Sequence, residues 1–420
     1  MPKGNIGTVA AQRALYRILI ENGIDLSVST SDSEIFKLIH PESKDMKVYR
    51  SLTPSIGTRN ICSHLRWVIL TAFNLTLLTF MAPLIQIGLK IPSRTDVIDR
   101  MRKCDIFIDL NLELIRGIPI SVSSALIKQK PRVLVIHKLF WSFRILQNLW
   151  FLLIVKGTFK KKLIVGPASF GPFNGLPIII KRITKLILTR FVNLILVREP
   201  YSAKLLHEFG IKNYQIVADA VLIDKSSYYP STPLQSLKQA IGIAPAMLRY
   251  TLTEEEIEEY IMAHVKCLND LITQYGEEIV FLPSSSDDIA MCQMIMARMK
   301  NSYRAKIIIT DNVDKYESSI RSLKLLLTTR MHPSVIAIKN FIPIIPIIYD
   351  HKQIGFLSQI GLKDFSMPIN KTSYNNLKLK INEVIQNYVK IEEALKSTVP
   401  RLQERQKAKL LYSILNLTRK

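Results

Sequence analysis

Short apolar runs alternate along the chain with longer segments of helical period, and this rhythm sets the first expectations. Residues 9–21 repeat apolar positions at helical spacing, opened by Gly4-Asn5-Ile6-Gly7-Thr8. Residues 24–29 alternate at period two and predict a strand. Further strands are expected at 104–110, 132–136, 163–165 and 194–197. A second series is expected at 240–244, 278–282, 306–309, 324–327 and 344–348, where Pro346 argues for a sheet edge or a strand end. Helical spacing fills the gaps. One helix carries Trp141, Leu146, Trp150 and Leu153, a basic one covers 176–190, and another runs 203–209 to a stop at Gly210. Residues 254–274 begin with acids, as a helix dipole prefers, and the chain beyond Tyr374 reads as helical.

Strands alternating with helices predict an α/β fold of parallel, doubly wound sheets. The composition turns to Ser, Tyr and Pro near residues 226–233, which predicts a linker. It divides the chain into residues 1–228 and 229–420, two Rossmann-like domains facing a cleft, the second ending in a C-terminal helical tail. A length of 420 residues suits two domains. The opening glycine loop has no strand before it, where one is expected, so either the start is misassigned or the first strand of the first domain has been lost.

Composition sharpens the picture in three places. The net charge of +23 favours polyanionic partners, yet no zinc-finger, RNA-binding or basic-zipper signature accompanies it, so nucleic acid is not expected. An anionic membrane surface remains. Residues 67–89 carry no charge, but Asn74, Pro83, Gln86 and Gly88 dilute them, and they lie between strands of one sheet. A helical excursion, buried or lying on a bilayer, fits better than a crossing. Lys156 and the run Lys160-Lys161-Lys162 either touch anionic lipid or form a solvated turn. Finally, Cys62, Cys104, Cys267 and Cys292 suit neither a metal site nor a disulfide scaffold, and Met1-Pro2-Lys3-Gly4 starts no signal peptide. A reducing cytoplasm is expected, with the protein peripheral on the inner face of the cell membrane.

Candidate chemistry gathers at strand ends. Leu325-Leu326-Leu327-Thr328-Thr329-Arg330-Met331-His332-Pro333 reads as a buried strand running into a helix, with Pro333 at the first helical position. Arg330 and His332 then sit at the carboxyl end of a strand, where open α/β sheets bind ligands and helix dipoles favour anions. Arg198 ends a strand of the first domain, and Tyr349-Asp350-His351-Lys352 follows one in the second. These cations and one imidazole suit a small polyanion; the plainer alternative is helix capping. Asp287-Asp288 reads as a cap rather than a metal site, and no metal is expected. Asp219 orients a loop. His137 enters the cleft or is structural, while His40, His64, His207, His264 and His351 have no evident partner. No P-loop, nucleophile elbow or zinc motif is present.

Several of these residues together resemble the polysaccharide pyruvyl transferases. The carriers are Val197-Arg198-Glu199-Pro200-Tyr201-Ser202 with Phe209-Gly210-Ile211, then Asp219-Ala220, then Phe281-Leu282-Pro283 with Asp288. Thr329-Arg330-Met331-His332-Pro333 and Tyr349-Asp350-His351-Lys352 follow in the family's order, and the loop from Gly166 to Pro172 resembles its glycine–proline loop. The resemblance implies a GT-B-like fold. It also implies transfer of a pyruvyl group from phosphoenolpyruvate to two hydroxyls of a glycan or lipid-linked sugar, with no cofactor. It makes His332 and Arg198 the catalytic pair. Arg330 and Lys352 support them in donor binding, and Asn5, Gly7 and Ser169 bind substrate. Thr8 stands where the family carries an acid, and Asn111-Leu112 where it tends to carry paired glycines. Two other readings stay open: a nucleotide-sugar glycosyltransferase of the same fold, and an inactive relative that binds glycan or membrane.

Overall fold

The structure is a computed structural model that describes residues 5–30, 47–50, 76, 79–81, 84–85, 95–110, 131–173, 176–225, 240–248 and 251–419. The chain enters through α1 (Ile6–Glu21), the parallel pair β1 (Ser27–Thr30) and β2 (Lys47–Arg50), and α2 (Thr95–Lys103). There follow β3 (Ile106–Asp109), α3 (Pro131–Phe159), β4 (Lys162–Ala168), α4 (Ile178–Arg190), β5 (Leu194–Val197), α5 (Pro200–Glu208), β6 (Tyr214–Ile216) and a short α6 (Ala220–Ile223). Strands β3 to β6 form one parallel sheet in chain order.

The second half contains β7 (Ile241–Ala244), α7 (Glu254–Tyr275), β8 (Ile279–Phe281), α8 (Ser286–Met296), β9 (Ala305–Ile307) and α9 (Val313–Arg321). It continues with β10 (Leu325–Thr328), α10 (Met331–Lys339), β11 (Ile344–Ile348), α11 (His351–Gln359), β12 (Met367–Pro368), α12 (Tyr374–Gln386) and α13 (Tyr388–Arg419). Its parallel sheet has the order β12-β11-β10-β7-β8-β9. Strand order therefore reverses between β10 and β7. The crevice beyond their carboxyl ends is where doubly wound sheets take ligands.

Period-two alternation assigns each strand face to its own core. Leu163, Val165, Ile195 and Val197 pack with α3 and α4 in one cluster. Ile164 and Leu196 face the other way, into a cluster that runs through α1 and α6 to the second sheet and α13. Burial on both faces explains why these strands read as unbroken apolar runs. The two halves thus share a core. Arg13 of α1 pairs with Asp314 of α9 at 2.9 Å, and Ile6 N–H donates to the Ser284 carbonyl at 3.0 Å. From the other end, Gln403 of α13 donates to the Leu222 carbonyl of α6 (2.8 Å), and Lys162 Nζ to that of Leu417 (2.7 Å).

Several expectations change. Residues 132–136 belong to α3, not to a strand: a short apolar run does not distinguish the two, and Pro131 opens the helix at a position where its missing N–H costs nothing. Pro346 lies one strand in from the edge. It pairs with Thr328 on one side, and β12 meets β11 only beyond it, at Ile347 and Ile348, so no ladder bond is lost. Of the lysines near 156–162, Lys160 is exposed and the other three bond within the fold: Lys156 Nζ donates to Asn193 Oδ1 and the Lys161 carbonyl, at 2.9 and 3.2 Å, Lys161 Nζ to the Arg102 carbonyl at 2.5 Å, and Lys162 Nζ to that of Leu417. Burial, with Lys162 nearby, lowers the Lys156 pKa. Among the described residues no helix is long and apolar enough to cross a membrane. The linker at 226–233, most of 67–89, Asn111-Leu112, His40, His64 and Cys62 lie outside the described residues.

Candidate functional site

The first wall of the site is the turn from β10 into α10. Thr328 Oγ1 accepts the Arg330 N–H at 3.1 Å and donates to its carbonyl at 3.0 Å, which closes the turn and sets Arg330 as the helix N-cap. The helix starts at Met331, so Pro333 is third rather than first. It still falls in the opening turn, whose N–H groups have no helical acceptor. The Arg330 guanidinium grips Asp288 with both arms: Nε donates to Oδ2 at 2.9 Å and the second arm meets Oδ1. Asp288 is fully buried in the first turn of α8, where a helix dipole suits a carboxylate, and also accepts the Met247 N–H at 3.2 Å. Burial alone would lower the Arg330 pKa, but Tyr349 and Asp288 beside it carry it above its ordinary value.

The second wall comes from the first half. β4 slips register between Val165 and Ala168, at Gly166-Pro167, and so delivers Ser169 beneath the end of β5. There Arg198, 2 % exposed, donates from Nε to Ser169 Oγ at 2.7 Å and from its fork to Asp219 Oδ2 at 3.1 Å. Asp219 caps α6 through its other oxygen, which accepts the Val221 N–H at 3.0 Å. Its Oδ2 lies 3.8 Å from His332 Nε2. One carboxylate oxygen therefore stands between a guanidinium of one half and an imidazole of the other. Gly7 backs that imidazole, and a Cβ there would overlap the His332 ring. Asn5 caps α1 by accepting the Gly7 N–H at 3.0 Å.

The third wall is the start of α11. Gln353 Oε1 accepts the N–H groups of Tyr349 and Asp350 at 3.0 and 3.1 Å, while its amide donates to the Thr329 carbonyl at 3.0 Å. The chain after β11 is thus tied to the chain after β10. Lys352 Nζ lies 3.8 Å from Asp350 Oδ2. His351, for which the sequence offers no partner, joins the halves: Nε2 donates to the Phe170 carbonyl at 3.2 Å, and Nδ1 lies 2.6 Å from Asp350 Oδ1.

A cavity of about 450 Å³ opens between these walls. Arg198, Arg330, His332 and Lys352 all line it, as does Asn5. Gly7 and Ser169 stand behind it instead, the one under His332 and the other under Arg198. Thr8, Gln12, Arg144, Ser284 and Tyr349 complete the polar lining, and the sequence alone assigns none of these five a role in binding. Arg144 did leave a signal: it is the one charge between Lys138 and Lys156, in a helix otherwise apolar there. Asp288 was legible as a cap and Asp219 as a residue that orients a loop, but neither as the partner of an arginine. His137 lies within α3 and not after a strand. His264 is buried on α7, donating to the Tyr260 carbonyl at 2.8 Å, and burial lowers its pKa to about 4.

Such a site suits a small substrate with two anionic groups. Arginine grips carboxylate or phosphate bidentately, lysine adds a point charge, and the α10 N-terminus points its dipole inward. An imidazole among them can carry a proton near neutral pH.

The chain is similar to known proteins in fold and in sequence. The fold is shared with an S. aureus MnaA–UDP co-structure (TM-score 0.58, 12 % identity, covering 98 % of this chain and 94 % of that one). It is shared too with a putative UDP-N-acetylglucosamine 2-epimerase from Listeria monocytogenes (TM-score 0.60, 11 % identity, 98 % and 93 %) and a glycosyltransferase from Rickettsia africae (0.55, 12 %, 99 % and 96 %). At these identities the likeness concerns the GT-B-like, two-Rossmann fold alone. The amylovoran biosynthesis protein AmsJ of Erwinia amylovora is 25 % identical over 261 residues, 56 % of this chain. The match spans 59 % of that relative's length. The profile of the polysaccharide pyruvyl transferases matches residues 134–351, which takes in Arg198, Asp219, Asp288, Arg330 and His332. With more than half its length matched, this chain belongs to the polysaccharide pyruvyl transferase family.

Proposed function

We propose that the protein moves the pyruvyl group of phosphoenolpyruvate onto two hydroxyls of a glycan or lipid-linked sugar, forming a cyclic ketal during cell-surface polysaccharide biosynthesis. The observation that carries this reading is the meeting of Arg198 and His332 at Asp219 Oδ2, in a cavity also lined by Arg330 and Lys352. Phosphoenolpyruvate carries a phosphate and a carboxylate, so it calls for several fixed cations. Pairing each arginine with a buried carboxylate holds the fork in place before the ligand arrives, which lowers the ordering cost at binding.

The chemistry needs a proton at carbon three while a sugar hydroxyl adds at carbon two. His332 supplies it, and the hydroxyl's own proton restores the imidazole. The second hydroxyl then displaces phosphate from carbon two, its proton leaving with the phosphate. Arg198 and Arg330 stabilise the departing anion. Across both steps one hydroxyl proton ends on carbon three and the other on phosphate.

Incubating the full chain with phosphoenolpyruvate and candidate sugar acceptors tests this directly. The expected result is release of inorganic phosphate that requires the acceptor, with a pyruvylated sugar in the mass spectrum. Nucleotide sugars run in parallel are expected to stay intact. Their consumption, with phosphoenolpyruvate untouched, overturns the proposal in favour of a glycosyltransferase.

A further inference from the structure

Helix α4 follows the loop that carries Ser169, and one of its faces is unlike an ordinary solvated surface. Ile180, Thr184, Ile187 and Leu188 are buried toward the sheet. On the opposite arc Ile178 is 70 % exposed, Ile179 62 % and Leu186 55 %. At 100° per residue these three share that arc with Arg182, Lys185 and Arg190, all exposed. No acid occurs anywhere in α4.

The sequence that contains it is equally one-sided: residues 114–198 hold fifteen of the chain's 57 Lys and Arg and none of its 34 Asp and Glu, although Arg144 and Arg198 belong to the cavity and Lys156, Lys161 and Lys162 bond within the fold. Beside α4 runs α3, and Trp150 of α3 donates to Thr79 Oγ1 at 3.0 Å. That contact ties down a neighbouring helical segment whose Phe80 is also exposed. Exposed apolar side chains set among cations with no balancing acid are the composition of a helix that lies in a lipid interface. Isoleucine and leucine enter the acyl boundary while arginine and lysine reach anionic headgroups.

We infer that the exposed face of α4, centred on Ile178, Ile179, Arg182 and Leu186, docks the protein on an anionic phospholipid bilayer. The inference does not depend on which donor the cavity takes. Its place in the fold gives it a use: α4 begins just beyond the carboxyl end of β4, the end of the sheet that faces the cavity. A membrane-borne acceptor would then approach from the side on which the protein rests.

The test is vesicle co-flotation of the full chain, with phosphatidylcholine vesicles against equimolar phosphatidylcholine–phosphatidylglycerol vesicles. A protein of net charge +23 adsorbs to anionic vesicles by charge alone, so the decisive variant leaves charge untouched: Ile178→Ser with Ile179→Ser and Leu186→Ser. Binding of the parent chain to anionic vesicles only, and at least about tenfold weaker binding of the serine variant, is the expected result. Exposed Leu379 of α12, changed to Ser, is expected to bind as the parent does. Should the serine variant lose its far-UV dichroism, Arg182→Gln with Lys185→Gln is read in its place and is expected to bind more weakly, with a shallower salt dependence. A folded serine variant that floats like the parent overturns the inference, as does a parent chain that binds no vesicle. So does a variant that changes only the oligomeric state on a sizing column, which would make the face a contact between copies.

Discussion

His332 leans on a residue that has no side chain to push it away. Gly7 presents bare backbone to the ring, and a methyl group there would overlap it. Gly7→Ala therefore displaces the imidazole toward the cavity or lifts the start of α1. The expected outcome is a clear fall in kcat with little change in overall stability, checked by turnover and thermal melting together. On the proposed mechanism His332→Ala removes the proton donor, and it is expected to lower kcat by about 10²–10⁴-fold in the phosphate-release assay. An unchanged rate sinks the assignment of this imidazole. The other notable histidine acts on stability alone. Burial holds His264 at a pKa of about 4, below an unfolded value of 6.5. Between those values the unfolded chain binds more protons, so stability falls as pH drops from 6.5 toward 4, by on the order of 3 kcal/mol from this group. His264→Gln, whose amide can still donate to the Tyr260 carbonyl, is expected to flatten that decline in denaturant titrations at several pH values.

At the scale of elements, the site depends on helix starts and on what presses against them. Glu199 caps α5, accepting the Ser202 N–H at 2.8 Å and meeting its hydroxyl. Burial raises the Glu199 pKa, an effect opposed by the two bonds from Ser202. Gly355 of α11 rests directly on that carboxylate, so a Cβ at 355 would strike Glu199 Oε2. Gly355→Ala is expected to part α5 from α11 and destabilise the protein by about 1–3 kcal/mol, read from chemical denaturation. The same elements show how far a sequence can be read. Arg330 and His332 were legible because a pure apolar strand runs into a proline-marked helix, a local pattern. Arg198 was legible for a similar reason. The partners that make these residues a site, Asp219 to Arg198 and Asp288 to Arg330, were not. Each contact spans tens of residues, and nothing in a capping aspartate reveals which arginine it meets. Helix α3 was misread in its first turns because a valine–isoleucine run satisfies strand and buried-helix patterns alike. Arg144 was overlooked because a lone cation in an apolar helix points nowhere until the helix is placed.

For the whole molecule, the alternation of strands and helices sufficed to give two parallel sheets, but not the core they share. That core depends on α1 and α13, elements from the two ends of the chain that cross between the halves. The four residues of α6, which carry Asp219 at their head, are packed by α1, by α10 and by α13. Removing residues 388–419 would strip away the donor to the Leu222 carbonyl and expose the apolar side of α6. The truncated chain is expected to lose cooperative unfolding and to bind dye at exposed apolar surface, which calorimetry and fluorescence would detect; a sharp parental transition counts against the shared core. One consequence concerns the order of synthesis. Every residue that lines the cavity lies between Asn5 and Lys352, yet Gln403, which secures α6, comes 181 positions after Leu222. A nascent chain halted soon after Lys352 has made all the chemistry and still lacks the clasp that seats the shared carboxylate. Seating of Asp219 is therefore expected to wait for the synthesis of α13.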